Sequence, residues 1–382
     1  MIRTIGVIGG GQLGRMFALE AKRMGFDVVT LDPQEHSPCG QVADEQIVAA
    51  YDDMSAIQRL GEQTDVVTYE FENIAIESVR YLEEHGFRVT PSSDVLRITQ
   101  DRLLEKRFVR SCGIATADFA EINRLDDLPQ AAMSIGFPAI LKTVRGGYDG
   151  KGQWRVTSLD EARAAVSTAK GAQLIYERVV PFVRELSVIA TRAADDTIVT
   201  YPVGENTHDR GILAMTVAPA RISEDVHKHA RAIAVTIGKK LGIVGTYCVE
   251  LFLVDTGELL VNEIAPRPHN SGHYTIDVTQ CSQYEQQVRA VCGLPLAEPK
   301  LLSSAIMMNI LGTGQGSQLT GETALLSNPS IVLHMYGKRH AVDRRKMGHF
   351  TMLVEGAVGE PAIARAKAAH AKLGWSADGS GG

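Results

Sequence analysis

"GTYCVELFLVDTGELLVNEIAPRPHNSGH", residues 245–273, is the stretch on which the fold turns. Two apolar runs flank "DTGE" at 255–258, a compact turn signal, so a β-hairpin is predicted over 245–264. With Thr256 and Gly257 as the loop, Asp255 pairs with Glu258 and, counting outward, Glu250 lies opposite Glu263. Both carboxylates then share one face with Phe252 and Val261. Like charges set opposite one another destabilise a sheet. A divalent cation between them removes that penalty, and Mg²⁺ characteristically takes one or two carboxylates plus water and nucleotide phosphates. The plain alternative is a solvated hairpin, which the apolar neighbours disfavour. A slip of one residue would separate the pair.

Upstream, "LKTVRGGYDGKGQW" (141–154) places glycines at 146, 147, 150 and 152 between Lys142 and Lys151. Backbone N–H groups of such a loop can wrap phosphate oxygens while the lysines neutralise them. The spacing is not G-x-x-x-x-G-K-[ST], so this is no P-loop. At the start of the chain, "IGVIGGGQLGRM" (5–16) sets Gly9, Gly11 and Gly14 in a G-x-G-x-x-G pattern after an apolar run, and Asp32 closes the next run. That is also the pattern of a dinucleotide site.

Residues 1–100 alternate strand and helix patterns, which predicts a parallel sheet with helices at 12–25, 54–63 and 75–85. After the helix "DRLLEKRFVRSCG" (101–113) come strand pairs with short helices, a helix at 223–241, the hairpin and a helix at 282–292. Short strands dominate 300–355, and an Ala-rich helix at 359–373 precedes a Gly/Ser tail. The net charge of −6 disfavours a nucleic-acid binder. No apolar run reaches the length of a membrane span, and no signal-peptide pattern opens the chain. Five scattered cysteines without C-x-x-C spacing suit a reducing cytoplasm, where the protein is expected.

In order, "GFPAILK" (136–142), "GGYDGKGQ" (146–153), "YERVVPFVREL" (176–186), Glu250 and "NEIAPRPHNSGH" (262–273) resemble the ATP-grasp superfamily. Within it the resemblance is to the N5-carboxyaminoimidazole ribonucleotide synthetases and runs from about residue 3 to 373. It implies a mixed α/β and α+β fold of three domains: an N-terminal Rossmann-like parallel-sheet domain (1–100), a two-lobed ATP-grasp domain (101–299) and a small β-rich C-terminal domain (300–375). Residues 376–382 are expected to be a disordered tail. The implied reaction is ATP-dependent carboxylation of 5-aminoimidazole ribonucleotide by bicarbonate, through carboxyphosphate, in purine biosynthesis.

Roles follow from the resemblance position by position. Arg102, Lys142 and the lid (Gly147, Tyr148, Asp149, Gly150, Lys151, Gly152, Gln153) would contact or cover ATP phosphates. Glu177, Arg178, Val179 and Val180 would flank the adenine, partly through backbone groups, and Glu185 would take the ribose hydroxyls. His208 and Asn262 would lie beside the nucleotide, and Glu250 and Glu263 would hold Mg²⁺, with Mn²⁺ as an alternative. The ribonucleotide would meet Gln12, Leu13, Glu72, Asn270, Lys338, Arg345 and Lys346. Tyr148, Asp149, Lys151, Arg267 and His269 would serve the chemistry. A homodimer with no nucleic-acid or membrane partner is implied as well. Two other readings are weighed beside this one: a formate-dependent glycinamide ribonucleotide transformylase, and an NAD-dependent oxidoreductase resting on Gly9–Gly14 and Asp32.

Overall fold

The computed structural model describes residues 2–147 and 152–376. Tyr148, Asp149, Gly150 and Lys151, all expected in the lid, lie outside the described residues, as does the expected tail beyond Ser376.

The first apolar runs form an all-parallel sheet in the order Glu45–Ile47, Asp27–Leu31, Thr4–Ile8, Val66–Tyr69. Strands Asp27–Leu31, Thr4–Ile8 and Val66–Tyr69 are buried almost continuously, as expected where both faces are covered. Helices Met54–Gln63 and Ile76–Glu84 pack Ile57, Leu60, Val79 and Leu82 on one face. Helix Gln12–Arg23 covers the other, joined there by Tyr284, Val288 and Val291 of helix Gln283–Cys292. The later helix thus docks on the first sheet from almost three hundred residues away.

A small antiparallel sheet follows, in the order Phe119–Ile122, Leu174–Arg178, Ala139–Thr143, Gln153–Val156. Helices Leu128–Ile135 and Leu159–Thr168 bury Leu128, Ala131, Ala162 and Ala165 against it. Helix Arg102–Ser111 links it to the first unit and is N-capped by Asp101, which accepts from Leu103 and Leu104 N–H.

The large sheet runs Leu259–Ala265, Gly245–Val254, Phe182–Arg192, Gly204–Asp209, Ile212–Ala218, Ser304–Leu311, Lys346–Val354, Ile331–Met335. The strands of the expected C-terminal domain extend the central sheet, with Met215 opposite Met308 at the junction. Ser376, expected in the tail, ends the strand Gly374–Ser376, which pairs with Gln318–Thr320. Helix Glu360–His370 closes this end with Ile363 and Ala366 against Ile310 and Phe350. Among the described residues, no helix is long and apolar enough to cross a membrane.

The hairpin corrects the predicted register while keeping its result. Val254 N–H donates to Glu258 O and Gly257 N–H to Val254 O, so the loop is Asp255–Thr256–Gly257, with Gly257 at φ +87°. Leu251 consequently faces Val261, and Phe252 faces Leu260. A β-bulge at Asn262 then adds one residue and restores Glu250 opposite Glu263. Val261, expected beside the carboxylates, lies in the core instead. Two one-residue departures cancel.

Candidate active site

A cleft of about 840 Å³ lies where the first sheet, the small sheet and the large sheet meet. Glu250 and Glu263 stand on its floor, with side chains 13% and 39% exposed. Burial and the facing Glu263 raise the pKa of Glu250. A cation between the two carboxylates would favour their charged forms and offset both effects, so this donor set fits a divalent ion. Arg102 Nη1 lies 3.6 Å from Glu263 Oε2, and its Nη2 donates to Gly147 O at 3.2 Å. His208 Nδ1 is 2.8 Å from Glu185 Oε2. Burial opposes charge on His208, but Glu185 and Glu250 outweigh it and raise its pKa.

Behind this floor is a buried ion cluster. Lys142 Nζ reaches Glu177 Oε2 at 2.7 Å, and Lys106 Nζ lies 3.5 Å from Glu177 Oε1. Lys106 also donates to Thr116 Oγ1 and to the bulge carbonyl of Asn262. Glu105 accepts from Ile264 N–H at 2.7 Å, and burial together with Glu263 raises its pKa. Arg102, Glu105 and Lys106 share one helix face by i, i+3, i+4 spacing. That face turns inward, carrying Glu105 and Lys106 to 3% and 2% exposure.

The glycine turn closes another wall. The carboxylate of Glu70 accepts from Gly11 N–H and, at 2.6 Å, from Gly14 N–H. Gly10 N–H donates to Asp32 Oδ2 at 2.7 Å. The turn's remaining donors at the N-terminus of helix Gln12–Arg23 are those of Gln12 and Leu13, and both residues line the cleft. Asp32 also accepts from Tyr51 Oη and Gln34 N–H, so its carboxylate is spent on local structure. The dinucleotide reading needs that acid for a ribose, and here it is not available.

Arg267 meets Glu72 in a two-point ion pair that links the loop after the hairpin to the end of the first sheet. His269 Nε2 is 3.4 Å from Glu250 Oε1, and its Nδ1 is 2.8 Å from Ser271 Oγ. Burial and then Arg267 push its pKa well down, so the imidazole is neutral. Asn270 is buried, lines the cleft and has neither amide atom hydrogen-bonded. A buried amide left this way is one that a ligand can satisfy. Lys346 lines the same wall, and Lys338 Nζ donates to Gln12 Oε1 at 2.8 Å and to Lys346 O at 2.6 Å.

The structure thus brings Gln12, Leu13, Glu72, Arg102, Lys142 and Gly147 to one cleft with Gln153, Glu185, His208, Asn262, the Glu250–Glu263 pair, Arg267, His269, Asn270 and Lys346. Gly152, Glu177, Arg178, Val179, Val180, Lys338 and Arg345 are not among the described lining residues. Glu177 points into the lysine cluster, and Arg178 pairs with Asp118. Sequence reasoning missed Glu70, Glu105 and Lys106, and also the stacked pair Phe182–Phe252, whose centroids are 4.8 Å apart at the cleft wall. The i, i+3, i+4 spacing of 102, 105 and 106 was the one available signal.

Residues 2–100 match the family described as ribonucleotide synthetase preATP-grasp domain, 107–284 the ATP-grasp domain, and 305–357 the phosphoribosylaminoimidazole carboxylase C-terminal domain. Fold and site together define an ATP-grasp enzyme. The chain is 44% identical over 350 residues to N5-carboxyaminoimidazole ribonucleotide synthase of Bacillus subtilis (strain 168), covering 92% of this chain and 91% of that protein. It also superimposes on a crystal structure of an N5-carboxyaminoimidazole ribonucleotide synthetase with ADP, at TM-score 0.90, 44% identity and 96% coverage of each chain. The Aspergillus clavatus synthase in complex with ADP and 5-aminoimidazole ribonucleotide matches at TM-score 0.87 and 30% identity, again covering 96% of each. This chain belongs to the N5-carboxyaminoimidazole ribonucleotide synthase family.

Proposed function

We propose that this protein is an ATP-dependent ligase that joins the carboxyl carbon of bicarbonate to the exocyclic amine of 5-aminoimidazole ribonucleotide, yielding N5-carboxyaminoimidazole ribonucleotide, ADP and phosphate. The observation that carries the reading is one cleft holding two different sets of groups. On one side stand Glu250, Glu263, Lys142 and Arg102, a set for a metal–triphosphate. On the other are the Gln12–Leu13 amides, the unsatisfied Asn270 amide and Lys346, a set for a phosphorylated acceptor.

Bicarbonate is a poor electrophile, so the γ-phosphoryl group of ATP is transferred to one of its oxygens to give carboxyphosphate. Such transfer asks the protein for positioning and charge neutralisation rather than a nucleophile. Lys142 and Arg102 take the phosphate charge, and Glu185, His208 and Asn262 hold the nucleoside end beside Glu177–Val180. Mg²⁺ or Mn²⁺ bound by Glu250 and Glu263 would neutralise charge on the phosphate oxygens. Carboxyphosphate hydrolyses readily, so the transfer requires that water be kept from the cleft. The amine nitrogen then bonds to the carboxyl carbon, phosphate leaves, and the amine proton passes to Asp149 or His269. Arg267 fixes Glu72 at the acceptor. Gln12, Leu13, Lys338, Arg345 and Lys346 hold the 5′-phosphate. A homodimer in the cytoplasm belongs to the same reading and rests on family resemblance.

Phosphate release with each donor and acceptor, singly and combined, tests it. Release should be fastest with Mg-ATP, bicarbonate and aminoimidazole ribonucleotide together, and carbon from labelled bicarbonate should enter an acid-labile product. Glu250→Gln and Glu263→Gln should each fold normally and lose on the order of a hundredfold in turnover. Stimulation by formate with glycinamide ribonucleotide, and none by the first pair, would make this the transformylase instead.

A further inference from the structure

Strands Ile331–Met335 and Lys346–Val354 pair with His334 directly opposite His349, so their imidazoles leave one face of the sheet side by side. The rings stack at 4.6 Å, and neither lines the cleft. Asp277, on the short helix Thr275–Val278, reaches the pair from across: its two oxygens lie 2.9 and 3.0 Å from His334 Nε2. One donor atom from each of Asp277, His334 and His349 falls within 4.8 Å of the other two.

We propose that Asp277, His334 and His349 form a binding site for a borderline transition-metal cation of the Zn²⁺ class, separate from the carboxylate pair of the cleft. Two imidazoles, one carboxylate and an open fourth position suit tetrahedral Zn²⁺. The independent sign is His349 itself. It is fully buried, its Nδ1 lies 2.8 Å from Tyr336 Oη, and its Nε2 has no hydrogen-bond partner. A buried ring nitrogen is seldom left this way. With Nδ1–H donating to Tyr336, Nε2 presents a lone pair, and an outer partner of this kind fixes the tautomer and orientation of a metal-bound histidine.

Metal–ligand bonds near 2.0–2.2 Å give a tetrahedron with edges of roughly 3.4 Å. The Asp277–His334 distance already falls inside that. An ion here would tie two C-terminal strands to the segment that follows His269 and Asn270. It would thereby steady Lys346, three residues before His349 on the same strand.

The test uses the full chain carrying Glu250→Gln and Glu263→Gln, so that the cleft carboxylates do not compete. After chelator treatment it is titrated with Co²⁺ as a spectroscopic probe and with Zn²⁺ in thermal melts. One equivalent of Co²⁺ should bind at micromolar concentration with visible ligand-field bands, and Zn²⁺ should raise the melting temperature. His334→Gln and Asp277→Asn, each added to this background, should weaken binding at least tenfold and abolish the bands. Tyr336→Phe should weaken it by roughly 10–100-fold through the outer hydrogen bond. No stoichiometric binding, or binding that survives either His334→Gln or Asp277→Asn, would overturn the site.

Discussion

Glu177 is a carboxylate buried against two ammonium groups, Lys142 at 2.7 Å and Lys106 at 3.5 Å. Burial alone would raise its pKa; the lysines overcome this and hold it at about 2, against 4.5 for a free glutamate. The unfolded chain therefore binds this proton more tightly than the folded one. The stabilisation is complete above pH 4.5 and fades as the pH falls through 4.5 toward 2. Glu177→Gln leaves both lysines without their counter-charge and should cost roughly 3–5 kcal/mol at pH 7. Urea unfolding from pH 7 to pH 3 should find the gap to wild type narrowing below pH 4.5. A gap constant down to pH 3 would assign the loss to packing rather than charge. Glu105 and Lys106, which complete this cluster, were the hardest residues to read from sequence. Glu250 and Glu263 stood out because a short hairpin brings like charges together by local counting. Glu105 and Lys106 sit in an ordinary amphipathic helix, where charged positions read as a solvated face. Their partners, Ile264 and Glu177, come from distant elements.

Elements were legible where alternation or helical spacing faced a core, and illegible where they faced the cleft. The four strands and three helices of the first sheet follow the apolar runs closely. Strand Gly204–Asp209 was missed, since "GENTHD" offers no apolar alternation. Its turn to Ile212 uses Arg210 and Gly211 at φ +47° and +80°, without the usual Asn-Gly signal. Bulges leave the pattern almost untouched, which is why the Asn262 irregularity was invisible. The glycine turn was legible as a motif, but not as the seat of Glu70. Burial raises the pKa of Glu70, and the N–H groups of Gly14 and Gly11 pull it back. A Cβ on Gly11 would stand 2.3 Å from Glu70 Oε1. Gly11→Ala must therefore push the carboxylate off the turn, leaving a buried acceptor unsatisfied at a cost of about 1–3 kcal/mol. The helix N-terminus would shift with it. The KM for aminoimidazole ribonucleotide should rise roughly tenfold, and that for ATP by less than about twofold, equivalent to under ~0.4 kcal/mol. Steady-state kinetics varying each substrate in turn checks this. Equal changes in both constants would mean that the turn supports the whole cleft rather than the acceptor side.

At the scale of the whole molecule, the two ends of the chain meet. Lys338 Nζ donates to Gln12 Oε1 across 326 residues of sequence, and Gln41 Nε2 donates to Gly337 O. No local pattern encodes such a contact; "YGKRHAVDRRKMGH" read by itself is a solvated basic run. Only the resemblance to a carboxylating family marked Lys338 and Lys346 as partners of a phosphate, and the fold supplies the physical route. Because the C-terminal strands continue the central sheet through Ile212–Ala218, they are held at a fixed position over the glycine turn. Lys346 therefore lines the cleft and Lys338 reaches Gln12 beside it, while Lys142, Arg102 and the carboxylate pair lie on other elements. Lys338→Ala should accordingly raise the KM for aminoimidazole ribonucleotide about tenfold or more, as expected when one charge-assisted phosphate contact is lost. The KM for ATP should change little, and so should phosphate release from ATP and bicarbonate without the acceptor. Lys346→Ala should behave in the same direction. The dinucleotide reading predicts something different, because it gives this turn a pyrophosphate and Asp32 a ribose. NAD or NADP at millimolar concentration should leave the melting temperature unchanged. A saturable rise with either dinucleotide, abolished by Asp32→Ala, together with Lys338→Ala kinetics unaltered for the ribonucleotide, would assign the glycine turn to a dinucleotide after all.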